Sequence, residues 1–493
     1  MISKFLREQK RYTQKDLCSV FECTEEKTIT IIRKLKEFGV LKAVKFSDTQ
    51  KDMSDLIDED IEVADVEVGE NEFLYVFTFV GVIIVAGCVL KSYPKYILNN
   101  TEPKDELKQV LKVLEKYNSK EQIVRMFNDN SESQAFNLLA VLLFLLHDYY
   151  ENGAYKNTED IVENNGPGEP IWDKTINDTF TLLSNNRPYY TNLQTRKRIN
   201  DDFDYFKRLH ECVLSIASNE LKDADLLELF EIDELDLSDE VLDDFGDEDY
   251  IIYRIEQELN VQFNTRKQLL LKTIYAYISH GGNLHDTDCL SIFGTNSFNL
   301  VWESVCADVM DNQLKRPIGS LLLPVPLKED YDGKTLLIDL IEKPLWSLPN
   351  KTASNTLIPD LVSIINENGD YKFIIFDAKY YNIKLEPKET PKAQPGIESV
   401  TKQYLYQLAY MNFLNAHNIH AVRNCFLMPT EKDKVINKGT VSLNMLDQLG
   451  LEKIQARCVP ARLMYGHYLE RLTIKCQAPK CRRLQKGDGS KMV

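Results

Sequence analysis

Residues 355–382 read NTLIPDLVSIINENGDYKFIIFDAKYYN, and this stretch decides the fold of the C-terminal part of the chain. Two apolar runs, LVSII and FIIF, flank the polar sequence NENGD, which is typical of a tight turn between two β-strands. Asp360 precedes the first run, and Asp377 and Lys379 follow the second. A hairpin of this kind predicts that Asp360 and Asp377 meet at one end of the sheet. Lys379 lies two residues after Asp377 and therefore shares its strand face.

Two carboxylates and an ammonium group at one strand end are suited to phosphodiester hydrolysis. Carboxylate oxygens bind Mg2+, which keeps several waters and completes its shell with substrate phosphates. A neighbouring lysine can orient or deprotonate a water and offset the charge that develops on the phosphate. An ordinary salt-bridged hairpin edge is the alternative. The apolar run before Asp377 favours a site, because a buried charge without a partner or a metal is costly.

Two predicted helices flank this hairpin. The sequence SFNLVWESVCADVM carries an apolar stripe with Glu303 beside it, so Glu303 is a candidate metal or water ligand, although a solvent-facing glutamate fits the same pattern. In TKQYLYQLAYMNFL the side chains of Gln403, Gln407 and Tyr410 share one helical face. These groups are candidates to hold a metal-bound water or a DNA phosphate, and an amphipathic core helix is the alternative.

The order of these motifs resembles that of the PD-(D/E)xK nuclease superfamily: a helical glutamate, PD, D-x-K on a strand and a Q-x-x-Y helix. The segments GTNSFNLVWE, IPDLVSI, FIIFDAKYY and YLYQLAY are similar to those of LlaJI-type restriction endonucleases, which are relatives of McrC. The segments VGVIIVAGCVLKSYPKYI and ELNVQFNTRKQLLLKTIYAYI also resemble this family. The resemblance therefore covers most of the chain.

This resemblance implies a Mg2+-dependent restriction endonuclease subunit that cuts double-stranded DNA. It implies a catalytic core of Asp360, Asp377 and Lys379 supported by Glu303 and Gln407, with Asp360, Asp377 and Glu303 as the Mg2+ ligands. It also implies a separate McrB-like AAA+ GTPase as partner. The chain agrees with a separate motor, because it contains no G-x-x-x-x-G-K-[ST] sequence.

Two other functions stay open at this point. One is a transposon-associated or repair nuclease of the same superfamily. The other is a DNA-binding regulator that combines a helix-turn-helix with a non-catalytic nuclease-like domain. An intact set of Asp360, Asp377 and Lys379 argues against a degenerate domain. Self-association of the chain also stays open.

The N-terminal region predicts a DNA-binding type of unit. Residues 1–47 predict three short helices followed by a wing strand, a pattern typical of helix-turn-helix and winged-helix units, which also mediate protein contacts. The next apolar stretch predicts a β-hairpin with its turn at Ala86-Gly87. We expect exposed strand edges in this hairpin, which together with its helical neighbours would make it a docking surface for the partner. A hairpin in the core of an N-terminal domain is the alternative.

The sequence predicts a multidomain α/β protein. The expected parts are a winged-helix-like unit (1–47), an acidic linker (48–72), a β-hairpin region (73–100), a helical middle domain (101–289) with an acidic insertion (223–249), a C-terminal PD-(D/E)xK α/β nuclease domain with a mixed sheet (290–475) and a basic tail (476–493). The loop 382–397, which holds three prolines and three lysines, is expected to move or order on DNA.

Charge and hydropathy set the remaining limits. The net charge of the 493 residues is −17, but residues 48–72 and 223–249 hold eleven and fourteen acidic residues, and the remainder is mildly basic. DNA therefore stays open as a partner, whether the acidic stretches are solvated linkers or insertions or mimic phosphate to shield a basic groove. Ten cysteines without a C-x-x-C pair predict free thiols. The absence of a long apolar segment or signal peptide predicts a cytoplasmic protein without a membrane span.

Overall fold

A computed structural model describes residues 1–45, 73–118, 137–156, 158–200, 204–281, 283–284, 290–347, 351–383, 385 and 394–473. The acidic linker 48–72, the basic tail 476–493 and residues 384 and 386–393 of the loop 382–397 lie outside the described residues. The predictions made for these segments therefore stay predictions. None of the described helices combines the length and the apolarity that crossing a membrane requires.

The chain folds into two compact units. Unit 1 comprises Ser133–Ser291 together with Met1, and unit 2 comprises Ile2–Glu132 and Ile292–Val493. Unit 1 is therefore an insertion in the sequence of unit 2, which is built from both ends of the chain. Unit 1 combines helices with small antiparallel sheets, and unit 2 combines helices with mixed sheets, which confirms the expected multidomain α/β class.

The described residues form α-helices and β-strands that are numbered here in chain order. The α-helices are α1 (Gln14–Phe21), α2 (Glu25–Glu37), α3 (Lys104–Asn118), α4 (Leu138–Asn152), α5 (Trp172–Asp178), α6 (Tyr205–Asp223), α7 (Leu227–Phe230), α8 (Glu248–Val261), α9 (Thr265–His280), α10 (Phe298–Val309), α11 (Ile397–Ala416) and α12 (Ala461–Glu470). The β-strands are β1 (Ile2–Arg7), β2 (Arg11–Tyr12), β3 (Leu41–Lys45), β4 (Phe73–Phe77), β5 (Val80–Val85), β6 (Cys88–Tyr93), β7 (Thr158–Asn164), β8 (Glu169–Pro170), β9 (Thr181–Ser184), β10 (Arg187–Tyr190), β11 (Gln194–Asn200), β12 (Leu290–Thr295), β13 (Leu345–Trp346), β14 (Lys351–Thr352), β15 (Leu361–Glu367), β16 (Asp370–Ala378), β17 (Ala421–Thr430), β18 (Ile436–Val441) and β19 (Ile454–Pro460).

The first 45 residues hold two helices rather than the three that the sequence predicts. The segment ISKFLR forms strand β1 and pairs in parallel with β6, a partner more than eighty residues away in sequence. Helix α1 begins at a capping box in which the Thr13 hydroxyl accepts from the Asp16 backbone N–H and the Asp16 carboxylate accepts from Thr13. Helix α2 follows, and strands β2, β4 and β3 form a small antiparallel sheet beside the two helices.

The hairpin predicted around Ala86-Gly87 is present, but its edges are covered. Ala86 and Gly87 adopt φ values of 48° and 77°, as a tight turn between β5 and β6 requires. The sheet order β1-β6-β5-β12 places both hairpin strands in the centre, and every residue of β5 and β6 is buried. The prediction that this hairpin has exposed edges for docking is therefore wrong, because β1 pairs with one edge and β12, from the middle of the chain, pairs with the other. The alternative, a hairpin in the core of the N-terminal region, agrees with the structure.

The C-terminal part of unit 2 contains the mixed sheet that the sequence predicts. Its order is β15-β16-β17-β19-β18, with β15 and β16 antiparallel, β16, β17 and β19 parallel, and β18 antiparallel. Helix α11 connects the parallel strands β16 and β17, as a parallel crossover requires. Trp302 of α10 is fully buried and donates its Nε1–H to the Leu427 carbonyl of β17, at 3.1 Å, which ties α10 to the sheet.

Unit 1 is mainly helical and carries small sheets formed by β7, β11 and β8 and by β9 and β10. The acidic insertion 223–249 packs along α6 instead of standing apart from it. The Ser215 hydroxyl accepts from the backbone N–H of Leu237 at 2.9 Å, and the Ser218 hydroxyl accepts from that of Leu235 at 2.8 Å. Arg208 of α6 forms an ion pair with Glu240. These bonds fix the backbone of the acidic segment while most of its carboxylates face solvent.

Candidate active site

The two strands of the hairpin bring Asp360 and Asp377 together. Leu361 pairs with Phe376 across β15 and β16, so Asp360 and Asp377 form the next pair at that end. The Asp360 Oδ2 accepts from the Ala378 backbone N–H at 2.8 Å, which ties the start of β15 to the end of β16. The Asp377 side chain is buried, with an exposed fraction of 7%. The sequence prediction for these two residues agrees with their positions.

Lys379 completes a charged cluster at this end of the sheet. Its Nζ lies 3.0 Å from the Asp377 Oδ1, and only 22% of the lysine side chain is exposed. The Lys379 backbone N–H donates to the Leu427 carbonyl at 2.8 Å, which continues the pairing of β16 with β17 past the end of the strand. Although burial lowers the pKa of Lys379, the charge and hydrogen bond of Asp377 outweigh it and raise the pKa above its usual value. The amine is therefore held as an ammonium group.

Two carboxyl groups of this cluster, those of Asp360 and Glu303, have raised pKa values. Burial raises the pKa of Asp360 to about 8, and the hydrogen bond and charge of Asp377 and the charge of Glu303 act in the same direction. Burial and the charge of Asp377 also raise the pKa of Glu303. Two carboxylates that share a hydrogen bond must share a proton or a cation, so the site holds a proton at neutral pH in the absence of metal.

The fit of a divalent cation rests on Asp360 and Asp377. Mg2+ typically binds through one or two carboxylates plus substrate phosphates, and this pair supplies two. Among the described residues, no three His, Cys, Asp or Glu side chains come close enough to hold a metal together. Glu303 acts on the pair through its charge and does not form a closed three-carboxylate cage with it. The donor set is therefore that of an open site.

The Gln407 side chain forms its hydrogen bonds outside the charged cluster. Its Oε1 accepts from the Asn424 Nδ2 at 2.7 Å and from the Glu452 backbone N–H at 3.2 Å. The side chain is buried and links β17 to the segment that precedes β19. The structure thus brings together four predicted residues: Asp360, Asp377, Lys379 and Glu303. The Gln407 carbonyl instead accepts the two hydrogen bonds that connect parts of the sheet.

Residues 79–458 match the model of the family described as LlaJI restriction endonuclease. This match covers more than three quarters of the chain. The chain belongs to the LlaJI restriction endonuclease family. Its four converging site residues all lie within the matched range.

One curated relative and two solved structures accompany this family match. The type II restriction enzyme BsuMI component YdjA of Bacillus subtilis (strain 168) is 26% identical over 410 residues, which cover 81% of this chain and 82% of the relative. A chain of the half-complex of Thermococcus gammatolerans McrB AAA+ hexamers with bound McrC is 12% identical, with a TM-score of 0.36 over 95% of this chain and 98% of that one. A chain of the McrBC complex of the same organism is 12% identical, with a TM-score of 0.25 over 61% and 84%. At these TM-scores the two structural likenesses establish no shared fold.

Two side chains of α11 in this LlaJI-family chain, Tyr406 and the sequence candidate Gln403, bond the backbone next to the two aspartates. The Tyr406 hydroxyl donates to the Ile358 carbonyl at 2.9 Å, two residues before Asp360. Burial raises the pKa of Tyr406, and the charges of Asp377, Asp360 and Glu303 raise it further. Gln403 is fully buried and its Nε2 donates to the Ile375 carbonyl of β16 at 2.9 Å. The only sequence signal for Tyr406 is its position three residues after Gln403 on the same helix.

The loop after α10 fixes Glu303 relative to Asp360. The Asn312 Nδ2 donates to the Asp360 carbonyl at 3.2 Å, and its Oδ1 accepts from the Val362 backbone N–H at 3.2 Å. The Ser363 hydroxyl donates to the Met310 carbonyl at 2.6 Å. These bonds satisfy polar groups along the edge of β15, so the helix that carries Glu303 is attached to the strand that follows Asp360.

Proposed function

We propose that this chain is the nuclease subunit of a restriction system, a PD-(D/E)xK enzyme that hydrolyses phosphodiester bonds of double-stranded DNA with Mg2+. The observation that carries the proposal is the placement of Asp360 and Asp377 at one end of the paired strands β15 and β16, with the Lys379 ammonium 3.0 Å from Asp377. Membership of the LlaJI restriction endonuclease family supports the same activity. Perturbed carboxylates at the end of adjacent strands are typical of active sites.

The residues of the site take distinct roles in this proposal. Asp360 and Asp377 would hold Mg2+, and the charge of Glu303 adds to the attraction for a cation. The ion acidifies a bound water and polarises the scissile phosphate when present. Lys379 stays protonated beside Asp377, so it orients the attacking water by donating a hydrogen bond and offsets charge on the phosphate. A protonated lysine cannot take a proton, which favours orientation over deprotonation.

Holding the two aspartates in register is the task of their neighbours. Tyr406 fixes the carbonyl of Ile358, and Asn312 fixes that of Asp360. Gln403 bonds the Ile375 carbonyl two residues before Asp377. Each bond limits the movement of one strand end, and pre-organised groups lose less free energy on reaching the transition state.

We further propose an McrB-like AAA+ GTPase as the partner and helix α2 as a DNA contact. The sequence supports a separate motor because it has no Walker A motif. Helices α1 and α2 with the sheet β2-β4-β3 have the order of a winged-helix unit, and Lys27 and Arg33 are exposed on α2. The buried hairpin of β5 and β6 is not a candidate for the docking surface.

A plasmid-cleavage assay tests the proposed nuclease activity against that of a regulator. The full chain is incubated with supercoiled plasmid and Mg2+, with and without a candidate AAA+ GTPase and GTP, and a parallel series contains EDTA. We expect nicked or linear plasmid only where a divalent cation is present. A chain that retards DNA in a gel but never cuts it with Mg2+ or Mn2+, with or without the GTPase, would be a DNA-binding regulator and would contradict the proposal.

A further inference from the structure

The segment that follows Lys379 is held by the N-terminal end of the chain. The Tyr380 hydroxyl donates to the Glu8 carboxylate and accepts from the Lys95 backbone N–H at 3.2 Å. The same Lys95 N–H lies 3.1 Å from the Glu8 Oε2. The Asn382 Nδ2 donates to the Lys95 carbonyl at 2.7 Å. Residues 380–382 therefore bond to two separate points of the first hundred residues, all within unit 2.

The Tyr380 ring, like its hydroxyl, has contacts with several neighbouring side chains. The Phe298 ring, at the start of α10, lies 5.3 Å away between centroids, and the Tyr96 ring lies 6.4 Å away in an edge-on arrangement. The Lys95 ammonium lies 4.6 Å from the centroid of the Tyr380 ring. Helix α10 carries Glu303, so the tyrosine contacts the element of one site residue and directly follows another.

Glu8 is a costly choice for this position. Only 5% of the residue is exposed, and a buried carboxylate is retained only where hydrogen bonds or charges compensate its lost hydration. Its partners are the Tyr380 hydroxyl and the backbone N–H of Lys95. Burial raises the pKa of Glu8 and outweighs the Lys95 charge and these two bonds, which lower it. Other bonds also join the two ends of the chain, including those from the backbone N–H groups of Leu98 and Asn99 to Glu431. Unit 2 therefore does not depend on Glu8 alone to stay together.

We propose that Glu8 and Tyr380 are positioning residues for Lys379. Successive side chains after a strand point to opposite faces, so a Tyr380 side chain that is fixed on one face directs Lys379 towards Asp377 on the other. Loss of the Glu8–Tyr380 bond frees the segment after β16, and the Lys379 ammonium then samples positions away from Asp377. This inference rests on the proposed nuclease function, because Lys379 has a task only there.

Four variants of the full chain test the proposal. Tyr380→Phe removes the hydroxyl and keeps the ring contacts. Glu8→Ala removes the acceptor, whereas Glu8→Gln keeps an oxygen that accepts the same bonds. Tyr155→Phe is the matched control, because the buried Tyr155 hydroxyl donates to Glu258 at 2.7 Å and accepts from Gln262 at 3.1 Å in unit 1. This control removes a buried tyrosine hydroxyl with one donated and one accepted hydrogen bond, as Tyr380→Phe does, but far from Lys379 in sequence.

Each variant is measured in three ways. The rate of Lys379 acetylation by an activated acetate ester, followed by peptide mass spectrometry, reports how firmly Asp377 holds the amine without requiring activity. Single-turnover plasmid cleavage reports the chemical step, and affinity for a DNA duplex in Ca2+ reports binding. Thermal unfolding is recorded for all four, so that a loss of folded protein is recognised.

We expect Tyr380→Phe and Glu8→Ala to acetylate Lys379 several-fold faster and to cleave about 10- to 100-fold more slowly, with unchanged DNA affinity. Glu8→Gln and Tyr155→Phe should match the wild type in both rates. Wild-type acetylation of Lys379 in Tyr380→Phe would overturn the positioning role, as would equal losses of cleavage in Tyr380→Phe and Tyr155→Phe. If the wild type never cuts DNA, the proposed function fails, and the acetylation rates still decide whether Glu8 and Tyr380 place Lys379.

Discussion

Asp360 and Asp377 repel each other unless a proton or a cation lies between them. Burial and the neighbouring carboxylates raise the pKa of Asp360 from 3.8 to about 8 in the folded protein. Between these values the folded state binds a proton that the unfolded state releases, so the free energy of unfolding falls as the pH rises. In EDTA, we predict that this contribution is complete below about pH 4 and is lost above about pH 8. Urea unfolding at pH 5, 6.5 and 8 measures it.

The variant Asp360→Asn isolates this effect from other carboxylates whose pKa is raised, such as Glu303 and Glu8. It removes the titrating group and should flatten the pH dependence relative to the wild type. Mg2+ should restore stability to the wild type at pH 8 and not to Asp360→Asn. Parallel pH curves for the two proteins would show that Asp360 does not hold the proton.

Lys372, near the start of β16, and Lys379, directly after its end, offer a matched pair. Both lysines form ion pairs with a nearby carboxylate, Lys379 with Asp377 at the site and Lys372 with Glu367 at the opposite end of β16. We predict that Lys379→Ala lowers the single-turnover cleavage rate by about 10²- to 10³-fold, because the charge that it offsets develops only during the reaction. Lys372→Ala should cleave at the wild-type rate. Equal rates for both variants would remove Lys379 from the site.

At the scale of elements, helix α11 carries two side chains with different roles: Gln407 stabilises the sheet, and Tyr406 holds the segment before Asp360. Gln407→Ala leaves the Asn424 amide and the Glu452 backbone N–H without their acceptor, so we predict a loss of about 1–3 kcal/mol in the free energy of unfolding. Its cleavage rate per folded molecule should stay at the wild-type level. Lys402→Ala, on an exposed part of the same helix, should change stability by less than about 0.5 kcal/mol.

Tyr406→Phe should show the opposite pattern from Gln407→Ala. It removes the bond to the Ile358 carbonyl and leaves the start of the PD segment free to shift, so cleavage should fall more than stability does. Single-turnover rates and urea unfolding of Tyr406→Phe and Gln407→Ala, measured side by side, test this separation. A larger loss of cleavage in Gln407→Ala would return the catalytic role to the residue that the sequence indicates.

Strand β12 reaches its place only because two glycines face each other. Gly81 in β5 and Gly294 in β12 have φ values of 142° and 152°, and a Cβ on Gly294 would lie 2.1 Å from the Val80 carbonyl oxygen. We predict that Gly294→Ala sharply lowers the midpoint of thermal unfolding, because the two backbones cannot separate without breaking the sheet. Gly87→Ala, where φ is 77° and no atom lies within 4 Å, should cost only local strain. Similar midpoints for the two variants would contradict this account.

Local patterns predict the elements that depend on local contacts. The hairpin of β15 and β16 and the turn at Ala86-Gly87 follow from alternating apolar runs with turn residues between them. The mixed C-terminal sheet is likewise expected from the sequence. The direction of the Gln407 side chain cannot be predicted from the sequence, because several residues of α11 have similar polarity. Only the packing of α11 on the sheet determines which of them bond next to the aspartates.

At the scale of the whole molecule, the pairings between distant segments escape prediction from the sequence. The sequence predicts helix where strand β1 lies, because ISKFLR has no strong preference and β6 supplies its structure. It predicts exposed hairpin edges, because the strands that cover them, β1 and β12, lie more than seventy and more than one hundred and ninety residues away from the hairpin in sequence. Such pairings depend on the packing of the complete chain and leave no periodic signal in either segment alone.

We predict that the chain alone is nearly inactive and that an McrB-like GTPase with GTP activates it. The chain has no NTP-binding motif of its own, and an unregulated Mg2+ nuclease would cut the DNA of its own cell. Cleavage by the purified chain, titrated with Mg2+, is compared with cleavage after addition of the GTPase and either GTP or a non-hydrolysable analogue. Robust site-specific cleavage without a second protein or nucleotide would instead indicate a self-sufficient enzyme.

The bond between Glu8 and Tyr380 joins residues that are 372 positions apart. A ribosome that adds about 5–20 residues per second needs roughly 20–75 s to synthesise that interval. Glu8 and strand β1 therefore leave the ribosome long before Tyr380, the partner of Glu8, has been synthesised. A chain that stops short of β16 lacks Asp377 and Lys379 and also the group that Glu8 binds. The site therefore cannot be assembled during synthesis until the ribosome has made both the segment with Glu8 and the segment with Asp377, Lys379 and Tyr380.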